Sequence, residues 1–232
     1  MKKLFLLLFI GYLCFPPVFS QVSETDSVDN QFWHETQLSF PLIKTENDSG
    51  KTTDKLSFFI NGNLRIGRNI RHLIDERIGL GFDYKYNKYV SFTQSYLYIA
   101  QQPSTGVKQF ESRARFAVNL EKSWKKFSLG DRNLVEYRFR NNRSDSVRYR
   151  NRFRFIYPIK KNKKELFVPF ATNEIFYDFQ AKTFSRNELS VGISRKLSSN
   201  VTTDYFYLLQ TNKSGSPKQL NVFGVNLKIR VD

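Results

Sequence analysis

Between Val147 and Tyr157 the chain alternates arginine with aromatic residues. Arg148, Arg150, Arg152 and Arg154 occupy the even positions; Val147, Tyr149, Phe153, Phe155 and Tyr157 occupy the odd ones, interrupted only by Asn151. Few backbones accommodate this pattern. In a β-strand successive side chains point to opposite faces, so one face is aromatic and the other carries a ladder of guanidinium groups. Wound into a helix, the same residues would scatter around the cylinder and leave no apolar stripe. The aromatic face requires apolar surroundings, and the arginine face requires water or carboxylates. A soluble sandwich supplies both with a dry core and a wet exterior. A membrane barrel supplies both with lipid outside and a polar lumen.

The rest of the chain favours the barrel. Leu56, Phe58, Ile60, Leu64 and Ile66 alternate with Ser57, Asn61, Asn63 and Arg65. Ile78, Leu80, Phe82, Tyr84 and Tyr86 then lead through a tight Asn87-Lys88 turn into Val90, Phe92, Tyr96 and Tyr98, a hairpin signal. The same period recurs over 110–120, 124–140, 147–157, 167–179, 186–194, 201–209 and 222–231, and more weakly over 32–42. Stretches rich in Asn, Asp, Ser, Gly and Pro at 44–54, 101–108, 141–146 and 212–217 read as loops. About eleven segments result, many exceeding the roughly 9–11 residues a barrel strand needs to cross a bilayer and the roughly 5–6 usual in a sandwich. Single-chain bacterial barrels have even strand numbers. The expectation is therefore an all-β, antiparallel, up-and-down transmembrane β-barrel of ten strands, with twelve as the next choice.

The N-terminus has the order of an export signal. Lys2 and Lys3 precede an apolar run over Leu4–Cys14, and Val18-Phe19-Ser20 offers a cleavage site. Residues 1–20 are read as the signal, 21–31 as a polar disordered leader, and 32–232 as a single barrel domain. Cys14 is the one cysteine, so the exported part has no disulfide and holds together by burial and hydrogen bonding. Mean hydropathy is only −0.48 although the chain holds 23 Phe and 12 Tyr. Barrel strands, polar on alternate positions, produce that combination. The net charge of +16 would suit a nucleic-acid binder, but an export signal excludes that partner. Outer-membrane lipid, lipopolysaccharide phosphates, the barrel assembly machinery and a small anionic solute are the expected partners, and the outer membrane of a Gram-negative bacterium is the expected location.

Trp33, the Ile78–Tyr89 hairpin with its Gly81-Phe82-Asp83-Tyr84-Lys85-Tyr86 run, and a central block point the same way. That block holds Asp131-Arg132-Asn133-Leu134-Val135-Glu136-Tyr137-Arg138, then Tyr149 to Arg154, Asn173-Glu174-Ile175-Phe176 and Arg186-Asn187-Glu188-Leu189. Over most of residues 32–231 the chain resembles a bacterial outer-membrane β-barrel family classed as a domain of unknown function, found in Bacteroidetes and Proteobacteria. The resemblance implies an integral outer-membrane protein with no established activity. The C-terminus, Val231-Asp232, departs from the aromatic ending common in such barrels.

With the aromatics toward lipid, the lumen receives a charge network of Arg132, Glu136, Arg138, Arg148, Arg150, Arg152, Arg154, Glu174, Asp178, Arg186 and Glu188. Arg113, Arg115, Arg140 and Glu111 share those faces. A narrow barrel leaves little room, so these groups fill the interior and set register through cross-strand pairs. Arginine outnumbers acid there, which adds a small anion-selective pore to the structural or transport-related reading. A barrel enzyme acting on lipid and a soluble periplasmic binding barrel are the alternatives. Only His34 and His72 are present, with no serine at persuasive spacing, so no catalytic set, metal site or cofactor is expected.

Overall fold

The computed structural model describes residues 28–46, 50, 52–104, 106–141, 143–162 and 164–231. The expected signal at 1–20 and residues 21–27 of the expected leader lie outside the described residues. Twelve strands occur: β1 (Val28–Glu46), β2 (Thr52–Gly67), β3 (His72–Lys85), β4 (Val90–Ser104), β5 (Val107–Ser123), β6 (Ser128–Arg140), β7 (Ser146–Ile156), β8 (Ile159–Lys161), β9 (Lys164–Asp178), β10 (Thr183–Lys196), β11 (Val201–Asn212) and β12 (Gln219–Arg230). All belong to one sheet, and no helix is present among the described residues.

The sheet closes. β1 to β7 follow in order, then β9 to β12, and β12 returns to β1; β8 is a short flap paired only with β9. The wall therefore has eleven strands, neither ten nor twelve. Every neighbouring pair is antiparallel except the closing one, where Val28–Ser39 runs parallel to Gln219–Arg230. An odd number of strands forces one parallel seam and puts the start of β1 and the end of β12 at opposite rims, here called the N-terminal and C-terminal rims. The shortest wall strand, β7, has 11 residues, enough to cross a bilayer.

β1 begins at Val28, inside the stretch read as a leader. Two contacts recruit it. The parallel seam pairs Val28–Gln31 with Gln219–Val222. In the β2–β3 turn, Arg68, Asn69 and Ile70 all have positive φ, and the Arg68 and Asn69 amides donate to the Asp29 carboxylate at 3.1 and 2.7 Å. The expected loops are shorter than read. β1 continues to Glu46 and β2 starts at Thr52, β4 and β5 run on to Ser104 and from Val107, and β11 extends to Asn212. Pro41 is tolerated within β1 because it stands at a register shift against β2.

Rings cover the outside. Phe153 is 47% exposed, and Phe116, Ile78, Tyr96 and Phe223 are similarly open. Neighbouring strands link these rings, as in Phe92–Phe116 (6.2 Å), Tyr177–Phe184 (5.2 Å) and Tyr207–Phe223 (5.4 Å). Such pairs help hold register. Four phenylalanines point inward instead among the described residues: Phe176, which faces Arg150, and three that each stand opposite a glycine, Phe59–Gly81, Phe170–Gly192 and Phe206–Gly224. A Cβ at any of these glycines would collide with the facing ring.

Candidate functional site

Strand β7 sits between β6 and β9, so its arginines meet carboxylates on both sides. Glu136, fully buried, is directly opposite Arg148 and accepts from its Nε at 2.5 Å. Arg113 and Arg150 approach the same carboxylate at 3.6 and 3.5 Å. Glu174 accepts from Arg132 and Arg150, both at 2.7 Å. Glu111 is shared by Arg113 at 2.7 Å and Arg138 at 2.6 Å, and Arg138 also reaches Asp178 at 3.9 Å. Arg186 stands 3.6 Å from Glu188, two residues along its own strand. Planar guanidiniums and carboxylates form short, charge-assisted bonds of this kind well. The buried Phe176 ring adds to the cluster, with Arg148 and Arg150 guanidiniums 5.0 and 4.5 Å from its centre.

The two halves of the lumen differ. Toward the N-terminal rim it is filled. Ile99, Val222, Phe176, Gln210 and Glu136 are essentially without solvent contact, and Trp33, Leu208, Leu220 and Val222 form one apolar cluster. The Trp33 Nε1 donates to Gln31 at 2.7 Å, and Gln31 in turn donates to Asp29 at 2.7 Å, tying this plug to the β2–β3 turn. Toward the C-terminal rim a cavity of about 360 Å³ remains. Its lining holds eight Arg and Lys side chains but only four carboxylates.

Arg152 and Arg154 both line this cavity, and neither has a carboxylate within 4.0 Å among the described residues. Arg154 instead lies over the Phe170 ring, 4.6 Å from its centre. Arg132 and Arg152 are directly opposite in the β6–β7 register, two like charges face to face. The Nε atoms of Arg132 and Arg154 are buried without a protein acceptor.

Several lumenal partners were not legible in the sequence. Asp75 binds Arg77 in a fork at 2.5 and 2.7 Å and also accepts from Gln101. Arg65 lies 3.4 Å over the Trp33 ring. Lys228 reaches Asp204 at 2.6 Å. Strand parity puts each of these on an inward face; Asp75 and Arg77 are neighbours on that face of β3, whereas Arg65 with Trp33 and Lys228 with Asp204 depend on registers that parity does not supply. His34 bonds the Val225 carbonyl oxygen at 3.0 Å and Thr36 Oγ1 at 2.9 Å. His72 opens β3 at the rim and is exposed.

A family model described as "Protein of unknown function (DUF2490)" matches residues 20–221. Among solved structures, LpxR from Salmonella typhimurium is similar with a TM-score of 0.46 and 10% identity, over 77% of this chain and 83% of that one. An anion-selective porin from Comamonas acidovorans is similar with a TM-score of 0.38 and 12% identity, over 78% of this chain and 58% of that one. Likeness of this degree speaks to neither activity nor solute. No curated protein matches the chain.

Proposed function

Because the chain belongs to this family of unknown function, its role has to be read from its own barrel, and we propose an integral outer-membrane protein with a structural or transport-related role and a lumen closed on one side by its own side chains. One observation carries the reading. Aromatic and aliphatic residues are on the outside of the wall at 40–60% exposure, while Glu136, Glu111, Arg113 and Arg148 are buried inside it. Water would reverse that arrangement; a hydrocarbon exterior with a polar interior favours it. Exposed apolar surface wrapping a whole sheet is far larger than the few-hundred-Å² patches a soluble monomer carries. Outer-membrane lipid, lipopolysaccharide and the assembly machinery are the partners such a barrel would meet.

The filled half supports a closed barrel over a freely conducting one. An open anion pore would need a continuous aqueous path past Ile99, Phe176 and Val222, all at or below 1% exposure. Membrane fractionation followed by a heat-modifiability gel tests membrane residence and barrel folding together. The expected result is recovery in the outer-membrane fraction and a mobility change on boiling. Planar-bilayer recording of the same material is expected to give no steady conductance. A soluble protein without heat-modifiable mobility would contradict the reading, and a stable ohmic pore would contradict the plug.

A further inference from the structure

We propose that the half-lumen open toward the C-terminal rim is a dead-end binding site for a compact phosphate-type oxyanion. The inference deepens the barrel reading above and rests on it.

Charge is matched in the filled half and mismatched in the open one. Arg113, Arg138 and Arg148 each contact Glu111 or Glu136. In the cavity, Arg132 and Arg150 share Glu174, with Arg150 also 3.5 Å from Glu136, and Arg152 and Arg154 have no carboxylate within 4.0 Å among the described residues. The register sets Arg152 between Arg132 on β6 and Glu174 on β9, but that one carboxylate is already taken by Arg132 and Arg150 at 2.7 Å, so positive charge stays in excess there, and a bound anion would offset it. Arg150, Arg152 and Arg154 follow at alternate positions of one strand, roughly 6–7 Å apart, and Arg132 flanks the middle one across the strand pair. Two-pronged guanidinium donors spaced in this way fit the several oxygens of a phosphate or pyrophosphate. The Nε donors of Arg132 and Arg154, buried and without a protein acceptor, would be satisfied by such a ligand.

The cavity, about 360 Å³, has room for one. Its floor is the plug, so a ligand enters and leaves by the same mouth. Exposed Lys85, Lys88, Lys125, Lys126, Lys161 and Lys196 surround that mouth and raise the local concentration of anions. The phosphate group could belong to a free solute or to a lipid headgroup reaching over the rim; the site chemistry is the same for both.

The test uses the full chain, folded in detergent and verified as heat-modifiable before use. Calorimetric titration with sodium pyrophosphate and with inorganic phosphate forms one arm. Binding to nanodiscs of phosphatidylcholine with and without phosphatidic acid forms the other. Saturable binding in the first arm identifies a free oxyanion, and binding in the second alone identifies a headgroup. Either is expected to weaken about tenfold or more in Arg152→Gln and Arg154→Gln, with little change in Lys108→Gln, which alters an exposed lysine at the opposite rim. Modification of Arg152 in the unaltered protein by phenylglyoxal, read by mass spectrometry, is expected to slow when the bound probe is present; this readout needs no variant to fold. A heat-modifiable barrel that binds none of these probes would overturn the site. So would binding that survives when Arg152→Gln and Arg154→Gln are combined. Pyrophosphate binding by a chain that never enters membranes would uphold the site and sink the membrane reading.

Discussion

Replacing Glu136 with glutamine removes one charge at nearly constant volume from the most enclosed point of the lumen. Three guanidiniums face that carboxylate, and they are not equally affected. Arg113 keeps Glu111 at 2.7 Å, and Arg150 keeps Glu174 at 2.7 Å. Arg148 loses its one carboxylate partner within 4.0 Å among the described residues and remains almost fully buried against Phe176. Breaking a buried ion pair from one side costs about 3–5 kcal/mol, because the surviving charge is left uncompensated. The glutamine carbonyl still accepts a hydrogen bond, so the lower end of that range, about 3 kcal/mol, is expected. Reversible urea unfolding in lipid vesicles measures it, with fluorescence of the buried Trp33 as one reporter. Adding Arg148→Met should restore a large part of the loss, giving a coupling of about 2 kcal/mol in the double-mutant cycle. A loss below about 1 kcal/mol, the range of solvent-exposed pairs, would refute the claim that the network holds the lumen together. So would strict additivity of the two changes.

Arg152→Gln is expected to leave stability unchanged or raise it by up to about 1 kcal/mol, because it relieves the face-to-face contact with Arg132; urea midpoints compared with Arg150→Gln, which should destabilise, decide this. Gly224→Ala drives a methyl group into the Phe206 ring and should cost about 1–3 kcal/mol, recovered in part by Phe206→Leu; the same unfolding curves report both. Phe116→Arg, near mid-height on the outer face of β5, should cost about 2–4 kcal/mol in bilayers, whereas in a water-soluble protein it would be harmless. Cysteines at Leu38 and Ile229, which are register partners across the parallel seam, should form an internal disulfide on oxidation, seen as a mobility change that reductant reverses; failure to cross-link would argue against closure by eleven strands.

Much of the wall was legible in the chain because period-2 patterning is local. Phe153 outside and Arg152 inside follow from parity alone, and the short β6–β7 connection brings Glu136 to Arg148. The strand number was not recovered. The segments themselves count to eleven, but the even-number rule moved the expectation to ten. That rule assumes an all-antiparallel closure, and a parallel seam between β1 and β12 leaves no hairpin signal to announce itself. The same seam explains Val28–Gln31, whose polar sequence carries no alternation and which becomes strand only because β12 and the Asp29-capped turn hold it. Turn-like composition at 44–54 and 101–108 hid strand ends that pair through backbone groups regardless of side chain. Within the site, Glu136 and Glu174 flanking the arginines of β7 could be anticipated, because the charges are concentrated on those three strands. Arg65 on Trp33 and Lys228 with Asp204 could not, since each needs a register that no local pattern encodes. The inward phenylalanines were obscured for a different reason: on β11 both Phe206 and its neighbours Tyr205 and Tyr207 are aromatic, so the two faces look alike until the glycines opposite are known.

The most direct test compares two adjacent positions on β7. Single cysteines at Arg152 and Phe153, placed in a Cys14→Ser background and spin-labelled, are reconstituted in vesicles, and collision with oxygen is compared with collision with a water-soluble nickel chelate. With rings toward hydrocarbon and guanidiniums toward the lumen, the label at 153 should relax strongly with oxygen and weakly with nickel, and the label at 152 should show the opposite ratio. A reversed ratio at the two positions would contradict the orientation on which the barrel, its plug and its anion site all depend.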